Sequence, residues 1–466
     1  MCDSLTSEKL DENSNNEKNV THSVIDSTSL DDDSSTNDQD KLDTKGNKKA
    51  LFWLISIFSA TGQFFFGNFF SAYAVDANMR KSLVGFITSI RNLLSSISQG
   101  TIGYLSDKIG RKFLMFIGIF MNFLVTLPLL FTDKTWVIIV IAIVQAFSLS
   151  IFMPSWNAVL GDITKPDYRA TFIGRIAAIG RLISVAFSIA IAIVFYLAET
   201  YQGSVFLGWT VNIPKITQYA IVFGIAAFNS LLCSIFILMM KETRTEDIEA
   251  KRPQMRIAFK DRKFMIFVVF YALFGLSMSF IWPLNPIMQV DILAMEVYEI
   301  AIISSVFILV MSVVQIFTGK LGDRIGRRPI FIVGAFILVL YPVSCIPSLV
   351  TGNWLWQIFS NIIAGTGTGT FFVALAALTL DLAPGDLMGA YSGIREMFFG
   401  IATFAGSLSA GFLIDYLEVK FIDLQYPAIY MCIGISVLRL FAAIGFLFVA
   451  ESYPKEQRML NNNKYH

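Results

Sequence analysis

The chain has 466 residues, of which 55% are hydrophobic and only 15% are charged. This number of charged side chains is too small to cover the surface of a water-soluble globule of this length. The composition therefore excludes a soluble protein and predicts one that lies in a lipid bilayer. The formal net charge is +1 and the basic residues fall in loops between apolar runs, which excludes a nucleic-acid-binding surface. The two histidines, His22 and His466, lie in the terminal tails. We therefore expect no metal site, no cofactor and no histidine-centred catalysis.

Residues 1–48 are rich in Asp, Ser, Asn and Lys and contain few large apolar side chains, a composition that is typical of disorder. We expect a disordered cytoplasmic tail, with a regulatory or partner-binding segment as the alternative. No apolar core precedes Leu51, so a signal peptide is not expected.

Twelve apolar stretches follow, each close to the roughly 20 residues that a helix needs to cross a bilayer core. The first six are 51–75, 83–104, 113–131, 136–160, 171–197 and 218–240. The second six are 264–290, 297–318, 330–349, 354–380, 387–414 and 426–450. They are apolar on nearly every side, unlike membrane strands, which alternate over about 10 residues. The sequence therefore predicts an all-α integral membrane protein.

A charged connector at 241–263 divides these spans into an N-terminal six-helix half, 49–240, and a C-terminal six-helix half, 264–452, with a cytoplasmic tail at 453–466. Most basic loop residues share one side of the predicted membrane, and an excess of Lys and Arg marks the cytoplasmic side. An even number of spans places both termini there. We expect a monomeric, multi-pass protein of the cell membrane, with the lipid bilayer as its partner.

One loop motif occurs twice. GYLSDKIGRK begins at Gly103 and GKLGDRIGRR begins at Gly319, each between the second and third spans of its half. A second matched pair places Asp162 after the fourth span and Asp381 after the tenth, each followed by a proline within four residues. The chain is therefore predicted to be a parallel duplication of a six-helix unit.

The pattern G-x-L-x-D-[RK]-x-G-R-[RK] in this loop resembles the loop signature of the major facilitator superfamily. The resemblance covers most of the chain and implies twelve transmembrane helices in two six-helix bundles that transport a small-molecule substrate. It also implies a cytoplasmic gate in which the motif arginines pair with the acids after the fourth and tenth spans. The gate residues are Gly103, Asp107, Arg111, Asp162, Gly319, Asp323, Arg327 and Asp381. The alternative is that these basic loops only set the topology.

The resemblance to particular subfamilies is weaker. Many proton-coupled members carry an arginine in the fourth helix where this chain has Ala142, and the equivalent place in the tenth span is Asn361. The Gly-Pro pattern of drug antiporters and the glutamine motifs of sugar porters are missing as well. The sequence therefore argues against membership of the drug antiporters and of the sugar porters.

Ionisable residues at membrane depth cost several kcal/mol and need a reason to be there. Arg91, Arg181, Arg395, Glu396 and Arg439 fall near the middle of their spans. This positive excess predicts an anionic substrate, such as an organic carboxylate or phosphate, held by guanidinium groups. The alternative is that Arg395 or Arg439 pairs with Glu396 and that the others bond backbone carbonyls. Because the family's second, fifth and eleventh helices border its central cavity, the resemblance makes Arg91, Arg181 and Arg395 substrate-binding candidates.

Glu396 is the only carboxylate well inside a predicted span and is the candidate for proton coupling. The adjacent Arg395 would oppose that role by keeping it ionised, so coupling to a proton or another ion stays open. Seven further residues are cavity candidates by helix number alone, with interhelical hydrogen bonding as the alternative. They are Gln63, Asn68, Gln145, Trp282, Asn285, Thr366 and Thr368.

Together these features predict a secondary transporter that moves a small organic solute, predicted to be an organic anion, by alternating access. One alternative is a multidrug or lipophilic-compound efflux transporter, which the 43 phenylalanines suggest. An alternative of another class is a receptor that binds a solute without moving it. No nucleophile and base arrangement or phosphate loop occurs in the sequence, so enzyme activity is not expected.

Overall fold

The computed structural model describes residues 46–164, 166–202, 205–206, 209–210, 213–243, 255–382, 388–421 and 423–448, together with residues 42 and 44. Most of the predicted tails at 1–48 and 453–466, and part of the connector, lie outside these residues. Within some described helices the side chains of individual residues lie outside the description as well, which affects several gate candidates.

Twelve long helices dominate the described part of the chain, and we label them α1–α12. The N half consists of α1 (Lys49–Asp76), α2 (Lys81–Ile109), α3 (Arg111–Thr126), α4 (Thr135–Ile163), α5 (Pro166–Thr200) and α6 (Lys215–Met239). The C half consists of α7 (Arg262–Ile287), α8 (Val297–Ile325), α9 (Arg327–Ser344), α10 (Leu355–Leu382), α11 (Met388–Lys420) and α12 (Gln425–Gly445). Several helices, such as α5 and α11, continue beyond the predicted apolar stretch into more polar sequence.

Short elements extend or join these helices. Turns of 3-10 helix at Leu127–Leu130 and Phe446–Phe448 follow α3 and α12, and a π-helical turn at Met288–Ile292 follows α7. Short α-helices at Met255–Lys260 and Ile346–Thr351 precede α7 and follow α9. Between α5 and α6, strands β1 (Val205–Phe206) and β2 (Trp209–Thr210) form an antiparallel pair. These are the two strands that the described part of the chain contains, and they lie in a loop outside the long helices.

By length and composition alone, eleven of the described helices are able to cross a membrane. The remaining long helix, α2, packs beside α4 and α11. With twelve long helices arranged as two sets of six, the predicted all-α membrane fold is confirmed.

The two halves meet along two helix pairs, in which α2 packs against α11 and α5 packs against α8. We call the end of the bundle that carries the two loop motifs the motif end, and the other end the opposite end. Near the opposite end, α2 and α11 come very close. A Cβ atom at Gly85 would lie 2.6 Å from the carbonyl oxygen of Ser407, and one at Gly411 would lie 2.8 Å from that of Lys81. The absence of side chains at these glycines therefore permits the contact between the halves.

An aromatic cluster fixes α1 in the N half. Phe65, Phe66, Phe69 and Phe70 of α1 are all fully buried. The rings of Phe66 and Phe70, one helical turn apart, are stacked with their centroids 4.7 Å apart. The ring centroid of Phe66 also lies 6.1 Å from that of Phe223 in α6. Packing between helices of this kind holds them together in a membrane, where the lipid is as apolar as the side chains.

The glycine contact yields a first prediction. Replacing Gly85 with alanine puts a methyl group where no space exists, so α2 and α11 have to separate. We expect Gly85→Ala to lose about 1–3 kcal/mol of stability, the usual cost of overpacking. The measurement is the thermal unfolding midpoint of the protein purified in detergent.

Gly434 in α12 is the matched control, because a Cβ atom there has no neighbour within 4 Å. We expect Gly434→Ala to unfold at or slightly above the midpoint of the unmodified protein. Equal midpoints for the two alanine variants would contradict the proposed role of Gly85.

Candidate functional site

A cavity of about 480 Å³ lies between the two halves. Its volume is within the range of small-molecule sites, about 300–1,000 Å³. The N half contributes α1, α2 and α4 to the wall, and the C half contributes α7 with its π turn, α8, α9, α10 and α12. Among the described residues that line it, two are arginines and none is Asp, Glu or Lys. The described part of the lining is therefore positively charged and contains no acidic group.

Arg91 of α2 lines the cavity. The carbon at the centre of its guanidinium group lies 5.7 Å from the ring centroid of Phe66 and 5.8 Å from that of Phe70. Among the described residues, the guanidinium group contacts these two ring faces and forms no ion pair or hydrogen bond. Its hydrogen-bond donors are therefore available to a molecule in the cavity.

Arg439 of α12 is the second arginine in the lining, and its side chain is almost completely buried. Its Nη1 donates a hydrogen bond to the carbonyl oxygen of Leu338 at 2.8 Å, and its Nη2 donates one to that of Met278 at 3.5 Å. Its Nε has no partner among the described residues. Arg439 thus agrees with the alternative in which arginines bond backbone carbonyls, although its charge still acts on the cavity.

Arg395 and Glu396 of α11 form an ion pair with each other. Arg395 also donates a hydrogen bond to Thr379 of α10 and lies 5.9 Å from the ring centroid of Tyr271. Neither member of the pair is among the described residues that line the cavity. The sequence left open whether Glu396 pairs with Arg395 or with Arg439, and in the structure its partner is Arg395.

Arg181 of α5 has a different partner. Its Nη1 donates a hydrogen bond of 2.6 Å to the side-chain oxygen of Gln315 on α8. This bond joins the two halves, and Arg181 does not appear in the described cavity lining. Of the three arginines predicted to bind substrate, the structure brings Arg91 alone to the cavity.

The uncharged candidates divide in the same way. Five of them line the cavity: Asn68, Gln145, Trp282, Asn285 and Thr368. The other two, Gln63 and Thr366, are not part of the described lining. Successive helical residues are about 100° apart, so neighbouring polar residues on one helix seldom share a face.

Sequence reasoning missed several polar residues of the lining: Ser71, Thr88, Asn92, Ser95, Gln289, Ser304 and Tyr341. A signal for three of them was present. Thr88, Asn92 and Ser95 lie three or four residues from Arg91 or from one another, which places them on one face of α2. Tyr341 had no such signal, because the ninth span was not expected to border the cavity.

The end of α7 is built to bring side chains to this cavity. Pro283 and Pro286 remove two backbone N–H groups from the helix, and the chain then widens into the π turn. In that turn Leu293 donates its backbone N–H to the carbonyl oxygen of Met288, five residues earlier. The turn places Gln289 in the lining together with Asn285.

At the motif end of the N half, Arg111 forms an ion pair with Asp162, and both side chains are nearly buried. Arg111 also donates to the carbonyl oxygen of Ala158 at 2.7 Å, and Thr243 donates to Asp162 at 3.3 Å. The carboxylate of Glu242 accepts the backbone N–H of Arg111 at 3.2 Å, at the start of α3, where helix geometry favours negative charge. This network braces α3, α4 and the end of α6 within the N half.

The other gate candidates are only partly visible. The side chains of Asp107, Asp323 and Asp381 lie outside the described residues, and Gly103 is described only as part of α2. A Cβ atom at Gly319 would meet Val373 of α10 at an ordinary contact distance of 3.8 Å. Arg327 is the first residue of α9. The gate in the C half therefore stays a prediction.

Polar contacts join the two halves at the opposite end. Lys81 at the start of α2 forms an ion pair with Asp291, which follows α7. Lys215 at the start of α6 donates a hydrogen bond of 2.9 Å to the carbonyl oxygen of Met295. Burial raises the pKa of Glu296, which caps α8 beside this contact, while the charge of Lys215 acts in the opposite direction. The described structure thus has its halves bonded at this end.

Comparison with known proteins supports this architecture. The model of the Major Facilitator Superfamily matches residues 52–282 and 267–463. The quinolone resistance protein NorA of Staphylococcus aureus is 22% identical over 391 residues, which cover 83% of this chain and 93% of that protein. A solved structure of the nucleoside transporter NupG has 12% sequence identity, a TM-score of 0.63 and coverage of 85% of this chain and 98% of that one.

Other relatives match only in part. The "Uncharacterized MFS-type transporter MT1926" of Mycobacterium tuberculosis is 30% identical over 112 residues, which are 24% of this chain but only 16% of that relative. Such a match carries no information about a whole protein's substrate. The family model, by contrast, covers almost all of the twelve helices, in two matches that overlap in α7. The chain is thus a multi-pass membrane protein that belongs to the Major Facilitator Superfamily of transporters.

Proposed function

We propose that this transporter moves a small organic anion through the central cavity by alternating access. The observation that carries the proposal is Arg91. Its guanidinium group lines the cavity, has only ring faces beside it among the described residues, and meets no acid in the described lining. A guanidinium group binds carboxylate or phosphate through two parallel hydrogen bonds.

The magnitudes favour a role in binding over a purely structural one. A charged side chain inside a membrane costs several kcal/mol. Contacts with aromatic faces return about 0.5–2 kcal/mol. The rings of Phe66 and Phe70 therefore leave part of the cost of Arg91 uncompensated. A bound anion would supply the rest, and the buried charge of Arg439 would add to the attraction.

A second candidate function is efflux of lipophilic compounds. The similarity to the quinolone resistance protein NorA extends over most of both chains, and Met278, Trp282 and Phe307 give the cavity an apolar wall. Uptake into liposomes that contain the purified protein separates the candidates. Flux of organic acids favours the first and flux of lipophilic amines favours the second, whereas binding without flux favours a receptor.

Alternating access requires that the cavity opens at one end at a time. The contacts of Lys81 and Lys215 join the halves at the opposite end. The basic loops support a cytoplasmic location for the motif end. We infer that the structure represents an inward-facing state, in which the Arg111–Asp162 pair keeps the N half rigid while the two halves rock.

Removing the charge of Arg91 is the test of the anion proposal. We expect organic carboxylates or phosphates to raise the unfolding temperature of the unmodified protein. We expect Arg91→Gln to weaken that response at least tenfold, because a hydrogen bond to a charged group contributes about 1.5–3 kcal/mol. The measurement is a thermal-shift titration across acids, sugars and amines.

Arg328→Gln serves as the charge-matched control for this test. Arg328 lies near the start of α9 and donates to the carbonyl oxygen of Leu447, outside the described cavity lining. Its replacement should leave the anion response unchanged. If anions stabilise Arg91→Gln as strongly as the unmodified protein, the arginine is structural and the anion proposal fails.

A third prediction concerns the seal at the opposite end. Lys81→Met removes one partner of the ion pair with Asp291, which favours states in which that end is open. A cysteine placed at Ser71 in the cavity, in a chain without its native cysteines, should react several-fold faster with an impermeant maleimide added on that side. Lys420→Met is the control, because Lys420 contacts Tyr416 of its own helix. Equal rates in the two variants would argue against the seal.

Proton coupling through Glu396 is the finer part of the proposal. Glu396→Gln keeps an acceptor for Arg395 but cannot be protonated. Once a substrate is known, we expect this variant to lose accumulation driven by a pH gradient in liposomes, while exchange of labelled for unlabelled substrate continues. Asp415→Asn in the same helix should retain both activities. Intact proton-driven accumulation in Glu396→Gln would assign coupling to another group.

A further inference from the structure

Three asparagines of the cavity lining share one hydrogen-bond arrangement. Asn68 of α1, Asn92 of α2 and Asn361 of α10 each donate from Nδ2 to the backbone carbonyl oxygen four residues earlier. The distances are 2.8 Å, 2.9 Å and 2.8 Å. The pattern therefore occurs in both halves and on three different helices.

This arrangement decides which atom of each amide is left for a ligand. A backbone carbonyl oxygen can only accept a hydrogen bond, so the NH₂ group of the amide has to face it. The side-chain oxygen is then the free end of the group, and the described residues form no hydrogen bond to any of these three oxygens. The cavity wall thus presents three acceptors whose orientation is fixed by their own helices.

Gln145 of α4 adds a fourth acceptor. Its side chain lines the same cavity and is only 1% exposed. Its side-chain oxygen has no hydrogen-bond partner among the described residues. A buried acceptor without a donor is unfavourable, and a donor on a bound molecule would remove that cost.

We infer that the substrate is an anion that also carries several N–H or O–H donors, such as a hydroxylated carboxylate. The inference rests on the proposed function, since Arg91 supplies the anion site. The three asparagine oxygens add a second requirement, because in the empty cavity water can donate to them. A plain aliphatic acid would displace that water and leave the acceptors without donors, whereas a substituted acid would replace it.

The C half also gives the cavity an apolar surface that suits the carbon skeleton of such a substrate. Met278, Trp282 and Phe307 form an apolar part of the lining. Tyr341 uses its hydroxyl group to donate to the side-chain oxygen of Asn285 at 3.3 Å, so that oxygen is already occupied. The free acceptors are therefore those of Asn68, Asn92, Asn361 and Gln145, while the aromatic wall contacts the skeleton.

Six-carbon compounds test the two requirements separately. Gluconate and 6-hydroxyhexanoate carry an anion and donors, hexanoate carries the anion alone, and sorbitol carries donors alone. In thermal-shift titrations of the full chain, we expect at least one compound of the first kind to bind at least tenfold more tightly than hexanoate and sorbitol.

The outcomes separate this inference from the proposed function. If hexanoate binds as tightly as the substituted acids and Arg91→Gln weakens it, the anion proposal stands and the donor requirement is wrong. If sorbitol binds most tightly and Arg91→Gln has no effect, the anion proposal itself is wrong. Failure of every substituted acid to bind would overturn the inference as well.

Variants locate the effect in the wall. Asn92→Leu and Asn361→Leu remove an acceptor while nearly keeping the volume of the side chain. We expect each to weaken the best substituted acid about tenfold and to leave hexanoate unchanged or tighter. Asn229→Leu is the matched control, because Asn229 of α6 makes the same bond to Ile225 at 2.8 Å but is absent from the described lining. The unmodified protein alone already decides the inference if a variant fails to fold.

Discussion

The cost of a guanidinium group in the membrane interior explains much of the arrangement around the central cavity. Each deep arginine meets that cost differently. Arg395 has the carboxylate of Glu396, Arg181 has the amide oxygen of Gln315, and Arg439 has two backbone carbonyl oxygens. Arg91 has aromatic faces alone among the described residues. The least compensated of the four charges is therefore that of Arg91, which lines the cavity, and this contrast supports the binding role that we propose for Arg91.

The fold was predictable because its signals are long and repeated. Twelve apolar stretches and two copies of one loop motif survive an error of several residues at any boundary. The site was predictable only in part. The depth of Arg91 in its span is a sequence property, whereas its separation from every described acid depends on how α2 packs. The same limit applies to Arg181, whose partner Gln315 lies 134 residues away and on the other half.

The polar lining shows where helix number stops being informative. Asn92 was missed although it adjoins Arg91, and Thr366 and Thr368 were both predicted although Thr366 is absent from the described lining. Which side of a helix faces the cavity depends on its rotation, and apolar residues all round a membrane helix give little indication of it. On α2, the spacing of polar residues from Arg91 predicts which of them line the cavity better than their polarity alone does.

Helix α2 combines two tasks in a short length. Lys81 and Gly85 hold it against the C half at the opposite end, and Arg91 lies less than two turns further along. A rigid helix transmits a small rotation along its whole length. A movement of α2 that changes its contact with α11 at that end would therefore also move Arg91, which would couple the proposed anion site to that end of the bundle.

The three amides bonded to their own helices have a consequence for how this protein can change over evolutionary time. A side chain that rotates freely can present either its oxygen or its NH₂ group, and a pocket lined by such groups can accept new cargo by reorientation. At Asn68, Asn92 and Asn361 a rotation of that kind would break an intrahelical hydrogen bond. If these oxygens bind the cargo as we infer, a shift to cargo with a different hydrogen-bonding pattern requires replacement of these residues, and relatives that keep all three are expected to keep the chemical class of their cargo.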